Sequence, residues 1–152
     1  MSADPRPEGD LVDLDLVRQI FDEAIPFNRF LGLRLLTVER GRVLASLPFR
    51  PELIGDPLRP ALHGGVISMV ADTVGGSAVW SLTGPGDRVA TIDLRVDYLR
   101  PGRALELQAS AEVLRVGNRV GVSSIRAFHP DDPERPVAVA MGVYTVKRAG
   151  EV

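Results

Sequence analysis

A chain of 152 residues with 45% hydrophobic and 25% charged content is one domain's worth of globular protein rather than a disordered segment. Its net charge of −2 gives no electrostatic case for nucleic acid or an anionic membrane surface, and a basic set that is nearly all Arg, with Lys147 the one lysine, reads as a GC-rich genome's bias more than as phosphate recognition. The absence of cysteine excludes disulfides, thiolate metal sites and a Cys nucleophile. The first residues lack a secretory pattern and no run is long enough to span a bilayer, so a cytoplasmic protein with no membrane partner is expected.

Residues 1–10 carry Pro5, Pro7, Gly9 and several charges, and read as a flexible tail ahead of a single domain over 11–148. Leu11, Leu14, Val17, Phe21, Ala24 and Ile25 then recur at helical spacing, which predicts an amphipathic helix from Leu11 to Ala24 stopped by Pro26. From Leu31 to Phe49 the pattern is β-like with a turn at Glu39–Arg42, followed by a proline-rich loop over Arg50–Leu62. The run Gly64–Leu82 is apolar, small-residued and free of proline, and is read as a buried helix ended by Thr83-Gly84-Pro85-Gly86-Asp87. The remainder is strands: Ile92, Leu94, Val96 and Tyr98 alternate with Thr91, Asp93, Arg95 and Asp97. A second alternating strand runs from Leu105 to Val113, Gly117-Asn118 signals a hairpin into Arg119–Phe128, and Val137–Val146 is apolar enough for a central strand covered on both faces. The simplest architecture is α+β, a curved antiparallel sheet wrapped around one long helix, with an extra N-terminal helix.

Between Gly64 and Pro85 the one ionisable side chain is Asp72. Burying a carboxylate without a partner costs several kcal/mol, so Asp72 either bonds an amide or an Arg in a structural role or serves as a general base or nucleophile. Gly64 and Gly65 open the helix without side chains, leaving first-turn N–H donors that could receive a developing oxyanion. Paired glycines could equally make only a sharp turn. His63 is a candidate proton donor, ligand-facing group or cap; with His129 the one other histidine and no cysteine, no zinc site or other metal is expected.

The stretch Leu62-His63-Gly64-Gly65-Val66-Ile67-Ser68-Met69-Val70-Ala71-Asp72-Thr73-Val74-Gly75-Gly76 closely resembles the central-helix motif of hotdog-fold acyl-CoA thioesterases of the phenylacetate-degradation type. Both the His-Gly-Gly opening and the acidic residue nine positions after the His are present, and Thr91–Gly102 looks like the strand that follows in that family. The likeness extends over residues 27–147. It implies hydrolysis of an acyl thioester without a cofactor, with Asp72 as base or nucleophile and the backbone N–H of Gly64, beside Gly65, polarising the carbonyl. A family Ser or Thr near the site falls on Thr91, on the face opposite Ile92. Where family members carry Asn-Pro before the His, this chain has Asp56-Pro57, and an ionised carboxylate cannot donate a hydrogen bond as an amide can.

Gly64 and Asp72 are roughly 12 Å apart along a helix, too far for one carbonyl to meet both within a chain. A homodimer that sets Gly64 of one subunit against Asp72 of the other removes the conflict, and the resemblance implies such dimers paired into tetramers. The CoA phosphates would be held by Arg100, Arg103, Arg115 or Arg119, and the acyl pocket lined by Val66, Val70, Leu58 and Phe27 or Phe30. Two other functions compete: a hotdog hydratase or dehydratase, which His63 before Gly-Gly fits poorly, and a non-catalytic acyl-CoA sensor, which would have no need of Asp72.

Overall fold

The computed structural model describes residues 7–151. Of the stretch read as a tail, residues 1–6 lie outside the described residues, and Glu8–Asp10 form a single 3-10 turn. Helix α1 (Leu14–Gln19) begins where Asp13 caps it. The Asp13 carboxylate accepts from the N–H groups of Asp15 (2.7 Å) and Leu16 (3.3 Å), two donors that a helix start leaves unpaired. The expected start at Leu11 is corrected accordingly: Leu11 is extended, and Val12 is buried with its N–H on the Thr83 carbonyl at 2.8 Å.

Helix α1 runs into a π turn over Ile20–Ala24, closed by the Ile25 N–H on the Ile20 carbonyl at 3.1 Å. Pro26, expected only to stop a helix, also starts one. It takes the first position of α2 (Pro26–Leu31), where its missing N–H has no partner to lose and its φ is already helical. Gly32, at φ 75°, ends α2. The β pattern therefore begins later than Leu31.

Strands β1 (Arg34–Glu39) and β2 (Arg42–Leu47) make the expected hairpin. The proline-rich loop has structure of its own, since β3 (Ile54–Asp56) pairs with β4 (Ala61–Leu62). Helix α3 (Gly64–Trp80) follows, and β5 (Arg88–Tyr98), β6 (Leu107–Val116), β7 (Val120–Phe128) and β8 (Ala138–Lys147) complete an antiparallel sheet of order β1-β2-β6-β7-β8-β5. Helix α3 packs against five of these strands, burying Val70, Val74, Ala78 and Val79 among Ala45, Leu107, Ala109 and Ile125. This is the hotdog architecture that the motif implies.

The packing of α3 on the sheet is close at Gly75. A methyl there would collide with the Tyr144 hydroxyl and sit 2.8 Å from Ser123 Oγ, so the helix reaches the sheet only because that position has no side chain. Strand β8 was expected to be covered on both faces. Its helix-facing residues Tyr144 and Val146 are buried, but Met141 on the outer face is 41% exposed, because within one chain nothing packs on that side.

Strand β5 departs from its apparent alternation. Thr91 pairs with Tyr144 and Asp93 with Val143, so Ile92 is an extra residue in a bulge. The bulge reverses the phase: Val89 and Thr91 face α3 before it, while Leu94, Val96 and Tyr98 face it afterwards. Ile92 itself is 54% exposed.

Candidate active site

The phase change in β5 settles where Thr91 points. Its hydroxyl donates to Asp72 Oδ1 at 2.8 Å, although unbroken alternation would send it away from the helix. Asp72 is half-buried on α3, and its backbone carbonyl accepts from the Tyr144 hydroxyl at 3.1 Å. Burial raises the Tyr144 phenol above its ordinary pKa, and the nearby Asp72 charge adds to the effect. Tyr144 is therefore a neutral donor, holding the turn that presents Asp72 against β8.

At the other end of α3, His63 is the N-cap. Its Nδ1 accepts from the Gly65 N–H at 2.9 Å, which places the neutral ring's proton on Nε2, and its carbonyl accepts from the Val66 N–H at 2.9 Å. With Gly65 so engaged, the Gly64 N–H is left without an acceptor among the described residues. The Tyr98 hydroxyl donates to the Gly64 carbonyl at 3.0 Å while its ring lies against the Gly64 α-carbon. Gly55 of β3 presses on the His63 backbone so closely that a Cβ would stand 2.6 Å from the His63 Cα.

Asp72, Thr73, Gly76 and Trp80 form one wall of a cleft of about 670 Å³. Opposite them are Ile20, Phe21, Ile25 and Phe27 from the N-terminal helices, and Val89 and Thr91 from β5 close one side. Neither His63 nor Gly64 borders this cleft. The two groups of candidate residues thus stay apart within one chain, as their spacing on the helix requires.

The expected substrate-binding residues are scattered. Asp56 Oδ1 accepts from the N–H groups of Leu58 (3.0 Å) and Arg59 (3.1 Å), so its carboxylate closes its own turn. Leu58 is 91% exposed at the loop tip, and Val66 and Val70 belong to the core, so none of the three lines the cleft; Phe27 does and Phe30 does not. Arg100 donates to the Pro136 carbonyl at 2.8 Å, and Arg103 pairs bidentately with Asp131, whose carboxyl it holds below the usual range. Arg119 and Arg115 lie in separate surface hollows. His129, expected in a loop, is buried and fully engaged, with Nε2 accepting from the Arg103 N–H at 2.9 Å and Nδ1 donating to the Glu106 carbonyl at 2.7 Å.

Sequence reasoning missed Tyr98, Tyr144 and, apart from Phe27, the N-terminal wall of the cleft. The first two carried a signal, since Tyr98 lies in the strand block and both are tyrosines in apolar strands, where a hydroxyl needs a partner. The rest of that wall, Ile20, Phe21 and Ile25, had none, because it is assembled by tertiary packing.

The family model described as "Thioesterase superfamily" matches residues 60–135, which contain α3, β5 and both candidate half-sites. The chain belongs to that superfamily and is a thioester hydrolase with the hotdog fold. It is similar to "Medium/long-chain acyl-CoA thioesterase YigI" of Salmonella typhimurium, 36% identical over 146 residues, covering 88% of this chain and 93% of the relative. A putative esterase of Halobacterium salinarum is 41% identical over 118 residues, covering 74% of this chain and 78% of its own. Among solved structures, a thioesterase family protein from Silicibacter pomeroyi superposes with TM-score 0.79 at 29% identity, covering 86% of this chain and 95% of that one. A protein from Shewanella oneidensis related to the thioesterase superfamily does so with TM-score 0.77 at 32% identity, covering 87% and 94%. Among the described residues no helix is long and apolar enough to cross a membrane.

Proposed function

We propose that this chain hydrolyses acyl-CoA to the free acid and CoA, with Asp72 as general base or nucleophile and the Gly64 N–H of a partner subunit as oxyanion donor. The observation that carries the reading is the Asp72 carboxylate, held by Thr91 at 2.8 Å in the wall of a largely apolar cleft. As a base, Asp72 takes a proton from water while the water oxygen bonds to the thioester carbon. The carbonyl π pair moves onto oxygen, where the N–H donor receives it, and then returns as the C–S bond breaks and the CoA thiolate leaves. As a nucleophile, Asp72 bonds to the thioester carbon and expels the CoA thiolate, and water then opens the mixed anhydride to release the acid and restore the carboxylate. Both routes need the carboxylate ionised and in this place.

The relatives' names favour aliphatic acyl groups of medium or long chain over the aromatic ones that a phenylacetate-type enzyme implies. A shared site is supported by the spacing on α3 and by the free edge of β5. That edge strand of eleven residues, with Ile92 and Tyr98 about half exposed, is a surface suited to pairing with its own copy. Apolar side chains on the outer face of β8, Val139, Met141 and Val143, suit back-to-back pairing of two such dimers into a tetramer.

A thiol-release assay over acyl-CoAs of graded length and aromaticity, on wild type and Asp72→Asn, tests the reading. The substitution is expected to cost about 10²–10⁴-fold in turnover with folding intact. Equal rates for the two proteins, or no thioester cleaved by wild type, would refute it.

A further inference from the structure

We infer that the cleft beside Asp72 is the acyl-chain subsite, that it takes an unbranched aliphatic chain with its methyl end toward Trp80, and that Ile20, Phe21, Ile25 and Trp80 set the length accepted. The inference rests on the proposed acyl-CoA hydrolysis. Asp72, Gly76 and Trp80 follow one another at intervals of four residues, so they share a face of α3 and line the cleft in that order. The distance from the first to the last is about 12 Å along the axis, a span suited to an extended alkyl chain of medium length. Gly76 between them places no side chain in the path. The cleft volume of about 670 Å³ lies in the range of small-molecule sites.

The chemistry of the walls points to a saturated chain rather than a polar or charged group. Trp80 donates its indole N–H to the Asp87 carbonyl at 3.2 Å, so its polar edge is engaged. Its ring meets Phe21 at 5.9 Å and 46°, an aromatic corner at the far end from Thr91. Asp87 also borders the cleft, but its carboxylate is held by the N–H groups of Gly84 and Ala149, both at 2.9 Å, and by Arg148 at 2.8 Å. Arg88 borders the cleft as well, but it is exposed and alternates with Val89, which faces α3, so the face of α3 between Asp72 and Trp80 carries no further charge.

The opposite wall depends on the π turn. Its wide turn closes Ile25 back onto Ile20, and both residues border the cleft. A larger side chain at Ile25 would shorten the space, and a smaller one at Phe21 would lengthen it.

Trp80 is the chain's one tryptophan, which makes the cleft its own reporter. Asp72→Asn, used to keep the thioester intact, is titrated with ω-bromododecanoyl-CoA, ω-bromobutanoyl-CoA and CoA alone while Trp80 fluorescence is followed. Saturable quenching is expected with the long brominated chain and not with the other two. In parallel, chain-length profiles of kcat/KM are measured for wild type, Ile25→Trp and Phe21→Ala. Ile25→Trp is expected to lose roughly fourfold for each methylene that the filled cleft no longer buries, while butanoyl-CoA is spared. Phe21→Ala is expected to move the optimum to longer chains. Hydrolysis by wild type with no quenching, or with one unchanged profile across all three proteins, overturns the assignment while leaving the hydrolase reading intact. Quenching without hydrolysis by wild type keeps the subsite and sinks the hydrolase reading.

Discussion

The two faces of α3 at the level of Asp72 are built to opposite requirements. One face, Ala71, Val74, Gly75 and Ala78, is sealed against β6–β8 with no room for a methyl at Gly75. The other face, Asp72, Thr73, Gly76 and Trp80, opens on a cleft. Tyr144 connects them, reaching from the sealed side to the carbonyl of Asp72 itself. The contrast teaches that the carboxylate's position is set from behind, by packing. Its immediate surroundings stay free of the crowding that would exclude a substrate.

Three substitutions would sharpen or break that contrast. Gly75→Ala acts on the sealed face and should be the most damaging to folding, at about 1–3 kcal/mol of overpacking even after a gain in helix propensity. Chemical denaturation measures it, and adding Tyr144→Phe, which removes the colliding hydroxyl, should recover part of the loss. No recovery would mean that Tyr144 is not what Gly75 accommodates. Thr91→Val acts on the open face and removes the one side-chain donor found on Asp72. Turnover should fall about tenfold, the worth of a hydrogen bond to a charged group, with stability nearly unchanged and activity restored in Thr91→Ser. A loss of stability matching the loss of turnover would show that the two faces are not separate.

Ser46→Ala lies on neither face and should have the smallest effect. Ser46 Oγ at 2.6 Å, with Gln108 Nε2 at 3.0 Å, donates to Glu106 and lowers its pKa. A carboxylate with a depressed folded-state pKa stabilises the fold above its unfolded pKa and loses that contribution as pH falls through the folded value. Ser46→Ala should therefore cost a fraction of a kcal/mol at neutral pH. The difference from wild type should shrink in acid, and turnover should be untouched throughout.

Much of this was legible in the residues. Asp72 stood out as one charge in an apolar run, and that single contrast located both the central helix and the carboxylate on the cleft. Capping was one of three roles open to His63 from its place before two glycines, and the bond from the Gly65 N–H to its Nδ1 shows it in that role. The bulge at Ile92 was not legible, because the apolar pattern runs through it unbroken and only the pairing with β8 reveals the extra residue. Pro26 was read as a stop, although a proline at the first helical position is a start as well. The π turn spans five residues, too few to leave a period. Leu58, Val66 and Val70 were taken for pocket residues by their nearness in sequence to the motif. The actual cleft draws on the π turn and α2, some fifty positions earlier, a juxtaposition that no local pattern encodes.

The clasp of Asp87 by Arg148 and Ala149 ties residues 148 and 149 to the turn beneath Trp80, while the π turn and α2 border the cleft from the N-terminal side. The walls of this cleft are thus drawn largely from segments outside α3, so they can vary while the helix and its carboxylate stay unchanged. Divergence in preference is thereby uncoupled from conservation of chemistry.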